Sequence, residues 1–151
     1  MNIYCGLHEF EDMGFLLHFL QKGDCFSDIG ANVGSYTVLA AKLQQAHVIS
    51  VEPVPSTFTK LELNILVNGI SDHVRTIQAG LGPVDNSILE FISDQDTTNR
   101  VAPPGYTGTT LKVPIKTADS LFSEFEAIMW KVDVEGFEEE VLLSAHQSLK
   151  R

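Results

Sequence analysis

Two short apolar segments, each ending beside an acidic residue, limit the folds open to this chain. The first segment ends around Asp28 and leads into a turn that contains Gly30 and Gly34, after which a helical pattern begins. The second segment ends at Glu52. Strand, glycine turn, helix, strand and acid, in that order, are how α/β proteins build a crevice for an adenosine group. We therefore expect a ligand with an adenosine part.

The residues of this turn suit such a ligand. Glycine at positions 30 and 34 permits backbone conformations closed to other residues and lets a ligand approach the main chain. The following helix, predicted over 36–42, directs its free N–H groups and its positive end to the same place. Asp28 is suited to accept a hydrogen bond from a ligand ammonium group, and Glu52 from both hydroxyls of a ribose.

The turn does not match the dinucleotide fingerprint. Starting from Gly30, the pattern G-x-G-x-x-G needs glycine where the chain has Asn32 and Ser35. Asp28 would also repel a pyrophosphate, whereas it would attract an amino-acid ammonium group. An NAD-binding enzyme is therefore a disfavoured alternative. The simplest alternative is a glycine turn that only closes a strand–helix unit, and the joint occurrence of turn, helix and two acids argues against it.

The rest of the chain alternates between helix and strand patterns. Apolar spacing and turn residues predict helices at 9–21, 36–42, 55–67, 118–125 and 136–148, and core strands at 25–29, 47–51, 74–79 and 127–132. Strands at 87–92 and 110–115 predict a hairpin, in which Pro114 favours an edge position. The fold class is α/β: a Rossmann-like, mostly parallel sheet with helices on both faces and a small β-hairpin inserted before the fourth core strand.

Composition narrows the partners and the location. The chain has 151 residues, 44% of them hydrophobic, and a formal net charge of −10, which disfavours nucleic acid because its binding depends on Lys and Arg. Cys5 and Cys25 have no metal-ligand spacing, so we expect two reduced thiols and no metal site. No leader pattern and no apolar run of about 20 residues is visible, so we expect no membrane span and a cytoplasmic location.

Three segments of the chain resemble the FkbM family of S-adenosylmethionine-dependent methyltransferases, which have the class I methyltransferase fold. Residues 28–37 (DIGANVGSYT) are similar to the family's cofactor loop, and residues 51–58 (VEPVPSTF) to its ribose-binding strand and helix. Residues 131–138 (KVDVEGFE) are similar to its most specific signature. The resemblance spans nearly the whole chain, so we expect one methyltransferase domain over 1–151, with an N-terminal helical segment at 1–24 and the cofactor-binding core at 25–151.

The resemblance implies S-adenosyl-L-methionine as the cofactor and a hydroxyl group as the methyl acceptor, carried by a sugar, a glycolipid or a secondary metabolite. The acceptor is expected to be a small molecule or a glycan. The cofactor-binding residues that it implies are Asp28, Gly30, Ala31, Asn32, Gly34, Ser35, Glu52, Pro53 and Gly80.

The third segment supplies the candidate catalytic residues, Lys131, Asp133 and Glu135. Side chains alternate along a strand, so these three share one side if the strand continues that far. Two close carboxylates would raise each other's pKa and Lys131 would oppose this, which suits Asp133 or Glu135 to take a proton from an acceptor hydroxyl. Alternatively, Glu135 caps a helix that begins at Gly136.

The chain departs from the family in its length. Class I methyltransferases have seven strands, and here the pattern stops after the helix that follows the fourth core strand. The chain is thus expected to be a fragment or a truncated relative whose fourth core strand forms an exposed apolar edge, through which an oligomer could form. A domain that binds the cofactor but does not catalyse is the alternative function. The polar loop at 96–106, with Asn99 and Arg100, is either a cover for the crevice or an ordinary surface loop.

Overall fold

The computed structural model describes residues 9–92, 101–103 and 105–150, so Cys5, Asn99 and Arg100 lie outside the described residues. The strands are β1 (Cys25–Ile29), β2 (His47–Val51), β3 (Val74–Ile77), β4 (Gly80–Leu81), β5 (Ile88–Ile92), β6 (Thr110–Lys116) and β7 (Met129–Val132). The α-helices are α1 (Phe10–Phe19), α2 (Ser35–Val38), α3 (Pro55–Asn68), α4 (Ala118–Leu121) and α5 (Glu138–Leu143). Shorter helical turns are a π-turn at Leu39–Leu43 and 3₁₀-turns at Ser71–His73 and Ser148–Lys150.

The main sheet has the strand order β3-β2-β1-β7, and all its pairs are parallel. The chain runs from β1 outward to β2 and β3, and then returns to the other side of β1 to form β7. Ligands of open α/β sheets bind outside the carboxyl ends of the strands at such a reversal. The reversal places Asp28 of β1 between Ser50 of β2 and Lys131 of β7 in the sheet register.

Helices cover both faces of this sheet, as the sequence predicted. On one face, Phe26 and Val48 pack with Leu16 of α1 and Leu61 of α3. On the other face, β1 and β2 pack against α4 and α5 in a cluster that includes Ile29, Ile49, Val51, Ala118, Phe122 and Val141. Because successive strand residues point to opposite faces, one apolar run in each strand supplies both cores.

The predicted hairpin is present, as β5 and β6 pair antiparallel. It belongs to a second sheet with the order β4-β6-β5. The edge position expected from Pro114 is therefore wrong, because β6 is the central strand. The proline is tolerated there because β4 pairs only with Ile115 and Lys116, so no neighbour requires an N–H group from residue 114 on that side.

The last two helices are shorter than the sequence predicted. Helix α4 begins after Thr117, whose hydroxyl accepts a hydrogen bond from the backbone N–H of Ser120 at 3.2 Å. Helix α5 spans only six residues. Beyond it, the Asp119 carboxylate accepts hydrogen bonds from the backbone N–H groups of Gln147 and Ser148. A side chain of α4 thus holds the end of the chain in place of a longer helix.

Strand β7 is the edge of the main sheet within the described residues, since β1 is its one sheet neighbour there. Its four residues are all half-buried. Among the described residues β7 thus has the predicted edge position, with half-buried and not exposed residues, and association through it stays a prediction. None of the helices in the described part of the chain is long and apolar enough to cross a membrane.

Candidate functional site

A cavity opens at the carboxyl ends of β1, β2 and β7, where the strand order reverses. The residues that line it and that the sequence singled out are Gly30, Asn32, Glu52, Pro53, Gly80, Asp133 and Glu135. Residues of the three segments and Gly80 therefore meet around one space. Five other residues that the sequence singled out are not among the lining residues: Asp28, Ala31, Gly34, Ser35 and Lys131.

Gly30 forms the floor of the turn after β1 and has φ +74°. Its N–H group and that of Ala31 both donate to the Val51 carbonyl, at 3.0 Å each, which ties the turn to the end of β2. A Cβ atom on residue 30 would lie 1.9 Å from the Asp133 carbonyl oxygen. Only glycine fits between the turn and the segment after β7 without a shift of the backbone.

The rest of the turn leads into α2. Asn32 has φ +51° and is exposed, with its N–H group directed at Glu52. Gly34, at φ +90°, precedes the helix, and a Cβ there would lie 2.5 Å from the Cδ1 atom of Leu61. Ser35 is the first residue of α2. Gly34 therefore lets α2 pack against α3, and its contact with the cofactor stays a prediction.

Glu52 is a buried carboxylate at the end of β2, 6% exposed. One oxygen accepts from the Asn32 N–H group at 3.0 Å and the other from the Val54 N–H group at 2.9 Å. Burial raises the pKa of Glu52, and these two backbone N–H groups oppose the rise. Each oxygen keeps a lone pair for another donor, so the carboxylate suits the pair of hydroxyls of a ribose.

Asp28 is fully buried and does not reach the cavity. Its Oδ2 atom accepts from the Thr37 hydroxyl at 2.6 Å, and its Oδ1 atom lies 3.6 Å from the Lys131 Nζ atom. Burial raises the pKa of Asp28, and the Lys131 charge and Thr37 oppose the rise. Asp28 therefore has Lys131 as its cation within the protein and does not line the cavity, and its direct contact with a ligand ammonium group stays a prediction.

Lys131 links the turn to the segment after β7. Its ammonium group donates to the Gly30 carbonyl at 2.7 Å and lies 3.4 Å from an oxygen of Asp133. It also lies 5.4 Å from the centre of the Tyr36 ring, within the range of a cation–π contact. The side chain is 15% exposed. Lys131 thus holds three elements together and is not itself among the cavity-lining residues.

Asp133 and Glu135 both line the cavity, although they do not share a strand face as predicted. Strand β7 ends at Val132, and Glu135 has φ +52° in the turn that follows. The expected cap by Glu135 is also wrong. Helix α5 begins at Glu138, whose own Oε1 atom accepts from the N–H group of Gly136 at 3.1 Å. The Asp133 side chain is 59% exposed and Glu135 is exposed, so both carboxylates are open to an acceptor.

Sequence reasoning missed the apolar wall of the cavity, formed by Leu81, Phe91 and Phe137. Phe137 could have been predicted from the sequence, because it lies inside the third segment, residues 131–138. Phe91 could not have been predicted, since it belongs to the hairpin and reaches the cavity only through the packing of the second sheet. Apolar and aromatic walls with a few polar groups are typical of small-molecule sites.

Among the described residues, no group of three or more His, Cys, Asp or Glu side chains could hold a metal ion. Cys25 is a half-buried free thiol, whose pKa is raised by burial and by Asp24.

Comparison with known protein families identifies the chain. A family model described as the methyltransferase FkbM domain matches residues 28–151. The chain belongs to the FkbM methyltransferase domain family. This membership confirms the resemblance inferred from the three segments, and the expected cofactor, S-adenosylmethionine, agrees with it. The matched region of this FkbM domain includes every residue assigned above to the cavity.

A curated relative is "Methyltransferase 1" of Beauveria bassiana (strain ARSEF 2860), 28% identical over 139 residues. The alignment covers 76% of this chain and 55% of the relative, so this FkbM domain spans about half the length of the curated relative that it matches.

Two solved structures are similar to part of the FkbM domain. P. horikoshii TYW2 in complex with MeSAdo has a TM-score of 0.44 and 23% identity, over 46% of this chain and 26% of that one. An RNA methyltransferase from Salinibacter ruber in complex with S-adenosyl-L-homocysteine has a TM-score of 0.44 and 22% identity, over 46% and 47%. Because these TM-scores are low, the fold assignment rests on the strand order and on the family.

Proposed function

We propose that this FkbM domain binds S-adenosyl-L-methionine in the cavity at the ends of β1, β2 and β7 and transfers its methyl group to a hydroxyl. The observation that carries the proposal is the meeting of Glu52, the Gly30 turn and Asp133 around one cavity. A buried ribose acceptor, a turn open to close approach and an exposed carboxylate are the groups that this reaction requires.

The lining residues divide into a polar and an apolar part, which fits an adenosyl group. We assign the ribose to Glu52, whose oxygens keep lone pairs free, and the base to the wall of Leu81, Phe91 and Phe137. The amino-acid end is assigned to the turn at Gly30. When bound, S-adenosylmethionine supplies a methyl group already activated by the charge of its sulfonium.

The protein then has to orient the acceptor, exclude water and remove one proton. Alignment of reacting groups contributes about 7–11 kcal/mol in favourable cases. We assign the proton to Asp133, since its exposed carboxylate lines the cavity, where the Lys131 ammonium group 3.4 Å away fixes its position. Glu135 is the second candidate, because it lines the same cavity.

The acceptor that we propose is a small molecule or a glycan with a free hydroxyl. The net charge of −10 argues against nucleic acid, and the two acidic side chains at the cavity argue against an anionic acceptor.

Calorimetry with S-adenosylmethionine, S-adenosylhomocysteine and NAD tests the cofactor assignment. We expect binding of both sulfur nucleotides and no binding of NAD. Binding of NAD alone would overturn the assignment and favour the dinucleotide alternative.

Turnover with a labelled methyl donor and a panel of glycosides and alcohols tests the base. Asp133→Asn should lower kcat about 100-fold or more without weakening cofactor binding, since general base catalysis contributes about 10²–10⁴-fold. Asp72→Asn, an exposed acid outside the cavity, is the matched control. Undiminished turnover by Asp133→Asn would remove Asp133 from the mechanism. Cofactor binding with no turnover on any acceptor would favour the alternative function, a domain that binds the cofactor but does not catalyse. We include this alternative because the alignment covers 55% of the length of the curated relative.

A further inference from the structure

A row of buried polar side chains crosses the main sheet directly beneath the glycine turn. Ser50, Asp28 and Lys131 are neighbours in the register of β2, β1 and β7. They lie on the face covered by α2, and Thr37 of that helix closes the row from above. Ser50, Asp28 and Thr37 are all fully buried. Buried polar groups are costly unless they are paired, so the partners of each group in this row are informative.

The hydrogen bonds of the row have one consistent direction. The Thr37 hydroxyl lies 2.6 Å from the Asp28 Oδ2 atom and 2.7 Å from the Ser50 hydroxyl. An ionised carboxylate only accepts, so the Thr37 proton points to Asp28. Ser50 must then donate to the oxygen of Thr37. The Ser50 hydroxyl thus donates to the Thr37 hydroxyl, and the Thr37 hydroxyl donates to Asp28.

The other oxygen of Asp28 faces Lys131. This Oδ1 atom has no hydrogen-bond partner within the described residues and lies 3.6 Å from the Lys131 Nζ atom. The same ammonium group donates to the Gly30 carbonyl and pairs with Asp133. The Thr37 bond to Oδ2 therefore fixes the rotation of the carboxyl group and leaves the opposite oxygen to hold Lys131.

We propose that Thr37 is a positioning residue, which with Ser50 orients the Asp28 carboxylate and through it fixes Lys131 between the Gly30 turn and Asp133. The proposal rests on the function proposed above, because Gly30 and Asp133 are there the cofactor turn and the base. It accounts for an aspartate that is fully buried and does not line the cavity. Thr37 and Ser50 act through other residues, so they are not catalytic.

The test compares Thr37→Val, which keeps the shape and loses the hydroxyl, with Thr37→Ser, which keeps the hydroxyl. Ser27→Ala is the matched control. Ser27 is also fully buried in β1, but it points to the opposite face and its hydroxyl has no partner among the described residues. Ser50→Ala removes the hydroxyl that donates to Thr37. It takes the place of Thr37→Val in the test if that variant does not fold.

The first measurement is an NMR titration of the Asp28 carboxyl group in the full 151-residue chain without ligand. Titratable groups near it are Lys131 of β7, Tyr36 of α2 and Glu52 after β2. Loss of a hydrogen bond to the charged form should move the Asp28 midpoint upward by about one pH unit in Thr37→Val. Thr37→Ser should restore it, Ser27→Ala should match the wild type, and Ser50→Ala should shift it by a smaller amount.

The second measurement is the Kd for S-adenosylhomocysteine, which should rise about tenfold in Thr37→Val and be restored in Thr37→Ser, as hydrogen bonds to charged groups are worth at least that factor. An unmoved Asp28 midpoint, or equal effects of Thr37→Val and Ser27→Ala, would overturn the positioning role. A wild-type chain that does not bind S-adenosylhomocysteine would instead defeat the proposed function. The titration tests Thr37 without the ligand, so the two failures are distinguishable.

Discussion

The main chain at Gly30 runs so close to Asp133 that a Cβ atom on residue 30 would lie 1.9 Å from the Asp133 carbonyl oxygen. The Asp133 N–H group also donates to the Ile29 carbonyl at 3.0 Å. The segment that carries the proposed base is thus built directly against the turn proposed to hold the cofactor. We therefore expect a change at either residue to affect both parts of the site.

Gly30→Ala should therefore destabilise the fold strongly. The positive φ costs about 1–2 kcal/mol for a residue with a Cβ, and the overlap with a backbone atom adds about 1–3 kcal/mol. Gly69→Ala is the control, since Gly69 has φ +66° and nothing within 4 Å of an added Cβ. Urea unfolding should show a loss in free energy of unfolding at least twice as large for Gly30→Ala. Equal losses would mean that Asp133 does not restrict residue 30.

Glu138 should stabilise the turn after β7 in a pH-dependent way. Its backbone hydrogen bonds, among them that from Gly136, lower its pKa. A carboxylate whose pKa is lowered in the folded state stabilises the fold at a pH above its pKa in the unfolded state, about 4.3. This contribution is lost as the pH falls through the pKa of the folded state. Glu138→Gln should lower the free energy of unfolding at pH 7 and approach the wild type at low pH, as followed by urea unfolding. The exposed Glu139→Gln is the control, and a deficit that stays constant with pH would contradict the pH-dependent role of Glu138 in this turn.

Glu52 should show the opposite dependence. Burial raises its pKa above the unfolded value, so the folded state binds the proton more tightly and its ionisation costs stability. The free energy of unfolding of the wild type, relative to Glu52→Gln, should fall as the pH rises from about 4.3 toward the folded pKa. Thermal unfolding across this range measures the difference. A difference that grows in favour of the wild type with rising pH would show that burial does not dominate at Glu52.

The sequence was sufficient to predict the strands that border the site. Strands β1 and β2 begin and end where the sequence predicted, because each is a buried apolar run bounded by turn residues. The meeting of Glu52 with the Gly30 turn followed from the same strand–turn–helix order, since parallel strands end at one edge of the sheet.

Contacts that depend on the packing of distant segments could not be predicted from the sequence. The prediction that Glu135 shares a strand face with Lys131 and Asp133 was wrong, because side chains alternate between faces only inside a strand and β7 ends at Val132. The pairing of Asp28 with Lys131 could not be predicted, because nothing local indicates that a residue so far along the chain would lie beside it. The bond between Thr37 and Ser50 likewise requires the placement of α2 over β2.

Calorimetric titration of S-adenosylhomocysteine into the wild type, Glu52→Gln and Glu62→Gln tests the central claim most directly. Glu62 is an exposed residue of α3 outside the cavity, so its variant controls for the loss of one charge. The account predicts that the wild type and Glu62→Gln bind alike and that Glu52→Gln binds about tenfold or more weakly, because a hydrogen bond to a charged group is worth about 1.5–3 kcal/mol. Equal affinities of Glu52→Gln and the wild type, or no binding by the wild type, would contradict it.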